Sequence, residues 1–226
     1  MAAQKKWEKN CLENLVFADE KAETAAACSE SYTRGNPRFW WIGSRREKAI
    51  DTYRYGGGGR RTALLCGKDI HKTFTQSGEK TQILLGIDVD IYEGDFAVVM
   101  GSSGAGKSTL LYALSGMDTI TGGSVTFKGQ EISKLSEKKM AQLRANEFGF
   151  VFQQTHLVSY LTLFENVAVA GFAAKAGSIK EIREKTDMLL LKMHAENAKD
   201  RLPSQVSGGE AQRAAIARAM VGNPGL

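Results

Sequence analysis

Residues 101–109 read Gly101-Ser102-Ser103-Gly104-Ala105-Gly106-Lys107-Ser108-Thr109, which has the spacing G-x-x-x-x-G-K-[ST] of a phosphate-cradling loop. A short apolar run with strand propensity, Phe96 to Met100, precedes the loop, and a helix-favouring run, Leu110 to Leu114, follows it. Glycines permit a turn whose backbone N–H groups point inward, and the helix adds the positive end of its dipole. The stretch predicts a triphosphate site in which Lys107 reaches the β- and γ-phosphates and Ser108 ligates Mg²⁺. A Gly/Ser-rich turn that binds nothing is the alternative, and the flanking strand and helix argue against it.

The composition is that of a globular protein and does not identify its binding partner. The chain has 226 residues, enough for one α/β domain plus an extra segment, and its formal charge of +5 suits an acidic partner such as nucleotide, nucleic acid or anionic membrane. Cys11, Cys28 and Cys66 form no C-x-x-C pair, so neither a disulfide framework nor a zinc site is expected, and a reducing cytosol fits. No apolar run reaches about 18 residues, so work at a membrane would require a separate partner.

The first 60 residues differ from the rest of the chain. Apolar residues between Trp7 and Ala27 recur at helical spacing, whereas Arg34 to Gly43 shows no clear period and Gly56 to Gly59 reads as a flexible break. We therefore expect an atypical leader over residues 1–60, partly disordered, and a nucleotide-binding domain over residues 61–226. The Trp40-Trp41 pair with its neighbouring arginines is alternatively a membrane-surface or partner-binding patch, a less favoured interpretation.

From residue 63 onward the pattern alternates between strand and helix. Strands are expected over residues 63–66, 83–91, 122–129 and 148–152, and helices over 136–146, 163–174 and 178–194. The last of these helices opens with a capping box, Ser178-Ile179-Lys180-Glu181. The strand over 148–152 ends at a polar residue, Gln153.

A second informative stretch is Ser207-Gly208-Gly209-Glu210, at the start of an alanine-rich helix. Ser207 and Glu210 form a capping box, which is a sufficient structural explanation for those two residues. Two consecutive glycines in a first turn, however, weaken a helix by roughly 1 kcal/mol each relative to alanine. Bare N–H groups at a helix start form a second anion site, and this function explains the glycines.

In this order the motifs resemble those of the ATP-binding cassette (ABC) ATPases, and the resemblance covers about residues 63–226. It implies an α/β P-loop NTPase fold with an antiparallel β subdomain and a helical subdomain over about 155–205. It also implies that Phe74 stacks on adenine, where tyrosine is more usual, and that Gln153 touches Mg²⁺ and the attacking water. Residues 114–118 and 148–153 look most like the branch that serves lipoprotein release, macrolide export and antimicrobial-peptide export.

The resemblance further implies a shared site and a membrane partner. Two domains, identical or different, would meet head to tail, with ATP between the loop of one and Ser207, Gly208, Gly209 and Glu210 of the other. Closure would drive a separate integral-membrane permease, with the ATPase on the cytoplasmic face. Catalysis would rest on Lys107, Gln153 and Mg²⁺, with a glutamate orienting or deprotonating the water.

That glutamate is missing from its expected place. The family has an apolar strand ending in Asp-Glu after the signature helix, where this sequence has Val221 to Leu226. We therefore expect a fold incomplete at the C-terminus that binds nucleotide with little hydrolysis. Leu15 to Glu20 resembles the missing strand, and a circular permutation with Glu20 as base would explain it, although helical spacing explains it more simply. The alternatives are a regulatory module that pairs with an intact cassette and a nucleic-acid-linked cassette, which no basic-aromatic patch supports.

Overall fold

The computed structural model describes residues 38–41, 62–76 and 78–226, the first of these as backbone only. The chain forms two compact units, which meet in sequence between Lys134 and Leu135. The expected helix over Trp7–Ala27, the Leu15–Glu20 segment and most of the expected leader lie outside the described residues.

The first unit is dominated by a long antiparallel hairpin. Strand β2 (Ala63–Gln76) pairs with β3 (Glu79–Tyr92), and β2 also pairs with β5 (Gly122–Phe127), which in turn pairs with β6 (Gln130–Glu131). The sheet order is β3-β2-β5-β6. Side chains on its inner face are fully or nearly fully buried, among them Leu65, Ile70, Leu84, Val125 and Phe127. The antiparallel sheet predicted from the sequence is confirmed, with strands longer than the apolar patterns indicated.

A separate parallel pair supports the phosphate loop. Strand β4 (Ala97–Met100) leads into the loop, and helix α1 (Lys107–Leu114) leaves it. Strand β1 (Arg38–Trp41) pairs with β4 in parallel, with Arg38 opposite Ala97 and Trp41 opposite Met100. The sequence predicts no strand at residues 38–41, since a four-residue parallel strand shows no alternation and its partner lies about sixty residues away in the chain. Its aromatic residues nevertheless have high β propensity.

The second unit is helical. It contains α2 (Glu137–Glu147), α3 (Leu163–Ala173), α4 (Ile179–Lys192) and α5 (Gly208–Met220), with short 3₁₀ turns at Glu196–Ala198 and Pro203–Gln205. Helices α3, α4 and α5 contact one another around a core that includes Leu163, Val167, Ile182, Leu190, Ala214, Ala215, Ala217 and Val221. Gly171 allows α3 to approach α4 closely, because a Cβ there would lie 2.8 Å from Ile182 Cγ2.

Three of these helices begin with complete capping boxes. Thr162 with Glu165, Ser178 with Glu181, and Ser207 with Glu210 exchange hydrogen bonds between side chain and backbone in both directions. The boxes at Ser178 and Ser207 confirm the sequence prediction. No helix in the described part of the chain is long and apolar enough to cross a membrane.

The expected strand over 148–152 is wrong. The segment is extended, since the rings of Phe148, Phe150 and Phe152 stack in sequence with 6.0 Å between neighbouring centroids, but no strand forms. A ladder needs a paired neighbour, and here the Leu226 N–H donates to Glu147 O (3.0 Å) while Leu226 O accepts from the Gly149 N–H (2.8 Å). Gly225 also donates to Glu147 O (2.9 Å), and these few hydrogen bonds at one end of the segment do not form a ladder.

Candidate functional site

The loop at 101–109 turns through three glycines with positive φ. Gly101, Gly104 and Gly106 have φ of 153°, 79° and 90°, which side chains with a Cβ rarely adopt. The Ala105 N–H donates to Ser102 O at 3.2 Å and closes the turn, while residues 102–104 are exposed. The loop therefore presents backbone to solvent in the conformation that its glycines require.

Lys107 folds back across this loop. Its ammonium donates to the carbonyl oxygens of Gly101 and Ser102, each at 2.9 Å. An ammonium has three donors, so two fix the lysine to the loop and the third is available to an anion at the loop's open side. Hydrogen bonds to the loop backbone thus fix the position of this cation.

The N-terminus of α1 differs from those of α3, α4 and α5. Its N-cap is Gly106 in the left-handed conformation, no side chain caps it, and none of the residues in its first turn is acidic. In each of the other three helices, a glutamate carboxylate in the first turn accepts a hydrogen bond from the N-cap backbone. The positive end of α1 is therefore open to an external anion, and the exposed Ser108 hydroxyl lies beside it.

Phe74 lies on the β2–β3 hairpin, which also packs against the phosphate loop. A Cβ on Gly106 would lie 3.0 Å from Ile83 Cγ2, so the loop packs against β3. The neighbouring Leu84 pairs across the sheet with Lys72, and the Lys72 ammonium lies 4.8 Å from the centre of the Phe74 ring. That ring is 45% exposed. An exposed aromatic face on this hairpin suits stacking of a flat heterocycle.

Sequence reasoning missed the buried ion pair beneath Phe74. Lys72 is 6% exposed and donates to Asp118 Oδ1 and to Thr119 O, both at 2.6 Å. Asp118 follows α1, so the pair ties the end of the loop helix to the hairpin that carries Phe74. The partners are 46 residues apart, and the signal available in the sequence is a lysine within an apolar strand.

In the second unit, Ser207, Gly208 and Gly209 are exposed at the start of α5. The Glu210 carboxylate accepts from the Ser207 N–H at 2.8 Å, and this backbone hydrogen bond, followed by that of the Ser207 hydroxyl, lowers the pKa of Glu210. Among the described residues, a Cβ on Gly208 would meet nothing within 4 Å, and one on Gly209 would meet only Arg213 Nη1 at 3.3 Å. Packing against the described part of the chain therefore does not require the two glycines.

Gln153 is exposed in a bend that follows the phenylalanine segment. Helix α5 holds the residues on either side of it. The Gln212 amide donates to Phe152 O at 3.3 Å, and the Arg218 guanidinium donates to Thr155 O and His156 O, both at 2.7 Å. Sequence reasoning missed both residues, since a helix pattern does not show which carbonyls its side chains reach.

The predicted site residues are thus distributed over two units. The structure gathers Phe74 and residues 101–109 on contacting elements of the first unit, and it attaches Gln153 and residues 207–210 to α5 in the second. Within the described residues, no cluster of three or more His, Cys, Asp or Glu side chains could hold a metal ion. The exposed Ser108 hydroxyl fits Mg²⁺, which binds through few protein oxygens and takes its other ligands from water and phosphate.

Most of this chain is similar in sequence to known proteins. A family model described as ABC transporter matches residues 84–226, more than half of the chain. The lipoprotein-releasing system ATP-binding protein LolD of Wigglesworthia glossinidia brevipalpis is 43% identical over 161 residues, covering 71% of this chain and 70% of the relative. The bacitracin export ATP-binding protein BceA of Halalkalibacterium halodurans is 37% identical, covering 73% of this chain and 64% of the relative.

A solved structure has the same fold. The dimeric ATP-binding cassette MJ0796, in a post-hydrolysis state bound to ADP and Pi, superposes with a TM-score of 0.67 at 35% identity, covering 71% of each chain. The shared fold is the P-loop NTPase fold of an ABC cassette. With the family match and the relatives above, this chain belongs to the ABC transporter family.

Proposed function

We propose that this chain is the ATP-binding subunit of an ABC transporter for export. The observation that carries the proposal is the phosphate loop: Lys107 is held across it by two 2.9 Å hydrogen bonds, and the uncapped N-terminus of α1 opens beside that ammonium. Both features attract an anion, and together they suit the β- and γ-phosphates of ATP. The relatives LolD and BceA, named as ATP-binding proteins of release and export systems, support export.

The adenine and metal contacts are part of the same proposal. Phe74 offers its exposed face to adenine, and the Ser108 hydroxyl of the same unit would ligate Mg²⁺; a magnesium role for Gln153 is what the family resemblance implies. When bound, Mg²⁺ neutralises charge on the phosphates. On this protein, Lys107 and the first-turn N–H groups of α1 hold and orient the phosphate oxygens.

We further propose a head-to-tail dimer and a membrane partner. Packing against the described residues does not explain Gly208 and Gly209, and a second copy whose nucleotide approaches the start of α5 would explain them. The solved relative is dimeric, which supports this arrangement. Export would then act through a separate permease, with this subunit at the cytoplasmic face of the membrane.

For the polypeptide by itself we propose nucleotide binding with little hydrolysis. The groups that reach the phosphates, Lys107 and Ser108, are donors, and no carboxylate lies in the first turn of α1. Gln153 orients water but cannot accept its proton. Turnover at an ordinary rate of about 1 to 10³ s⁻¹, abolished by Lys107→Ala, would contradict this part.

The test of ATP binding is an affinity measurement on the full chain with ATP and Mg²⁺ by equilibrium dialysis. Removing the Lys107 ammonium costs a charged hydrogen bond of about 1.5–3 kcal/mol, so Lys107→Ala weakens binding by about 10- to 150-fold. Lys134→Ala is the matched control, since Lys134 is an exposed lysine of the same unit paired with Glu131. Equal affinity in wild type and Lys107→Ala would overturn the proposal.

A further inference from the structure

Phe74 lies on an exposed part of the β2–β3 hairpin. Residues 74–76 and 78–82 are exposed, and the residue opposite Phe74 in the ladder is Thr81. A threonine side chain is too small to cover a phenyl ring, so the sheet by itself does not hold the Phe74 side chain in one rotamer. A ring that is free to change rotamer loses this freedom when a base stacks on it, and the loss weakens binding.

The buried ammonium of Lys72 contacts one face of this ring. Nζ lies 4.8 Å from the ring centre, and Lys72 is 6% exposed whereas Phe74 is 45% exposed. The ammonium therefore lies against the face that is turned toward the protein, and the opposite face is left to solvent. A cation attracts the face of an aromatic ring, and it does so more strongly when it is removed from water.

The segment that follows α1 fixes the position of this ammonium. Lys72 Nζ donates to Asp118 Oδ1 and to Thr119 O, both at 2.6 Å, and Asp118 Oδ1 also accepts from the Thr119 N–H at 2.8 Å. The Asp118 N–H donates to Tyr112 O of α1 at 3.1 Å. The cation beneath the ring is thus tied to the helix that leaves the phosphate loop.

Packing alone does not explain a lysine at this position. Removing an ion pair from water is costly, and apolar residues of similar volume are often as stable in its place. A methionine would fill the space of the Lys72 side chain, but it carries no charge with which to hold the ring. The orientation of Phe74 is therefore the property that distinguishes the ammonium from an apolar side chain.

We propose that Lys72, held by Asp118, is a positioning residue that orients the Phe74 ring for stacking of the nucleotide base. The inference deepens the proposed function and rests on its assignment of Phe74 to adenine. All the groups involved belong to the first unit. The ring is already oriented in the free protein, so the base binds without paying for the ordering of this side chain.

The experiment compares the affinities of the full chain for ATP and for inorganic tripolyphosphate, both with Mg²⁺, by equilibrium dialysis. We call the ratio of the two affinities the base advantage. Lys72→Met should lower the base advantage by about 2- to 5-fold, because the ring is no longer held by the cation. The ratio cancels any effect of the lost charge on the phosphates, since both ligands carry them.

Two further variants make the result specific to the ring. Lys72→Met in a Phe74→Ala background should leave the base advantage of Phe74→Ala unchanged, because no ring remains to be oriented. Lys68→Met is the matched control: Lys68 lies on the same strand, pairs with Asp90 at 3.3 Å and is exposed, so its replacement should leave the base advantage of wild type unchanged.

A second form of the test applies if Lys72→Met does not fold. Replacing one partner of a buried ion pair leaves the other charge uncompensated, and this destabilises a protein strongly. The double variant Lys72→Met with Asp118→Leu leaves no such charge. It should show the same 2- to 5-fold loss of base advantage, because the cation beneath the ring is absent from it as well.

Failure of the inference is distinguishable from failure of the proposed function. If wild type binds neither ligand, or Lys107→Ala binds both equally well, the proposed function is wrong. If Phe74→Ala keeps the base advantage of wild type, adenine does not stack on Phe74 and the inference is wrong with that assignment. If Phe74→Ala loses the advantage but Lys72→Met keeps it, or lowers both affinities equally, Lys72 does not position the ring. A further loss in the Phe74→Ala background would also overturn the inference.

Discussion

Replacing Gly208 by alanine should raise the stability of this chain while weakening its association with a second copy. Gly208 is the first residue of α5 and has no positive φ, and a Cβ there would meet no atom of the described residues within 4 Å. Alanine reduces the conformational freedom of the unfolded chain, so the free energy of unfolding rises by about 0.4–1 kcal/mol. The mutation is therefore favourable in this chain considered by itself.

The same methyl group would obstruct a closely packed partner. Inserting one into a well-packed contact costs typically about 1–3 kcal/mol, so ATP-dependent dimerisation should weaken by about 5- to 150-fold. Urea unfolding followed by circular dichroism measures the first effect, and sedimentation with ATP and Mg²⁺ measures the second. A stability gain with unchanged dimerisation would refute close approach at this helix start.

Gly129 supplies the matched control. A Cβ there also meets nothing within 4 Å, but its φ is +79°. Gly129→Ala should therefore destabilise the chain by about 1–2 kcal/mol, because alanine is strained in the left-handed region, and should not alter dimerisation. If Gly208→Ala were destabilising to the same degree, the backbone at Gly208 would not be helical as described.

Three further predictions concern the first and second units. Phe74→Ala should weaken ATP binding by about 5- to 150-fold through loss of base stacking, while the affinity for inorganic tripolyphosphate stays unchanged. An equal loss of affinity for both ligands would contradict adenine stacking. Phe74→Tyr is the control that keeps the ring. Asn166 is 1% exposed; its Oδ1 accepts from the Val158 N–H, and the two hydrogens of its Nδ2 are shared among the carbonyls of Val158, Leu161 and Thr162. The Val158 and Thr162 oxygens also accept backbone N–H groups. Asn166→Leu should lower the free energy of unfolding by about 2–4 kcal/mol, measured in urea, because the Val158 N–H and the Leu161 carbonyl lose this partner; a loss below about 0.5 kcal/mol would contradict this. The pKa values of Glu165, Glu181 and Glu210 are lowered, first by the backbone hydrogen bond at each N-cap. The stabilisation by these carboxylates is complete above the ordinary glutamate pKa of about 4.3 and is lost as the pH falls through the lowered values. The free energy of unfolding of Glu181→Gln should therefore fall less steeply in acid than that of wild type. The same dependence on pH in both proteins would contradict the contribution of the cap.

Local signals account for the parts of the fold that the sequence predicts. The capping boxes at Ser178 and Ser207 join residues three apart, and the loop at 101–109 carries its own glycines and lysine, so nearby residues determine each structure. The box at Thr162 and Glu165 has the same spacing and could have been found in the same way. It supports the start of α3 at Leu163.

Contacts between distant residues account for the parts that were missed. Residues about 50 or more positions apart in the sequence are joined by the pairing of β1 with β4 and by the ion pair between Lys72 and Asp118. Residues 148–152 have the alternation of a strand, yet alternation reports which side chains share a face and not whether a neighbouring strand exists. The Arg218 contacts are likewise invisible in a helical pattern, because their acceptors are backbone carbonyls.

The central claim is that the loop at 101–109 and the glycines of α5 form one ATP site from two chains, and a mixing experiment tests it most directly. Lys107→Ala disables the loop and Gly208→Arg blocks the start of α5, so neither variant should dimerise with ATP and Mg²⁺ by sedimentation. In an equal mixture, however, a head-to-tail dimer of the two variants has one intact site. Its loop comes from the Gly208→Arg chain and its α5 start from the Lys107→Ala chain. We predict that the mixture dimerises and retains about one nucleotide per two chains. If the mixture sediments as the two separate variants do, the shared site is contradicted.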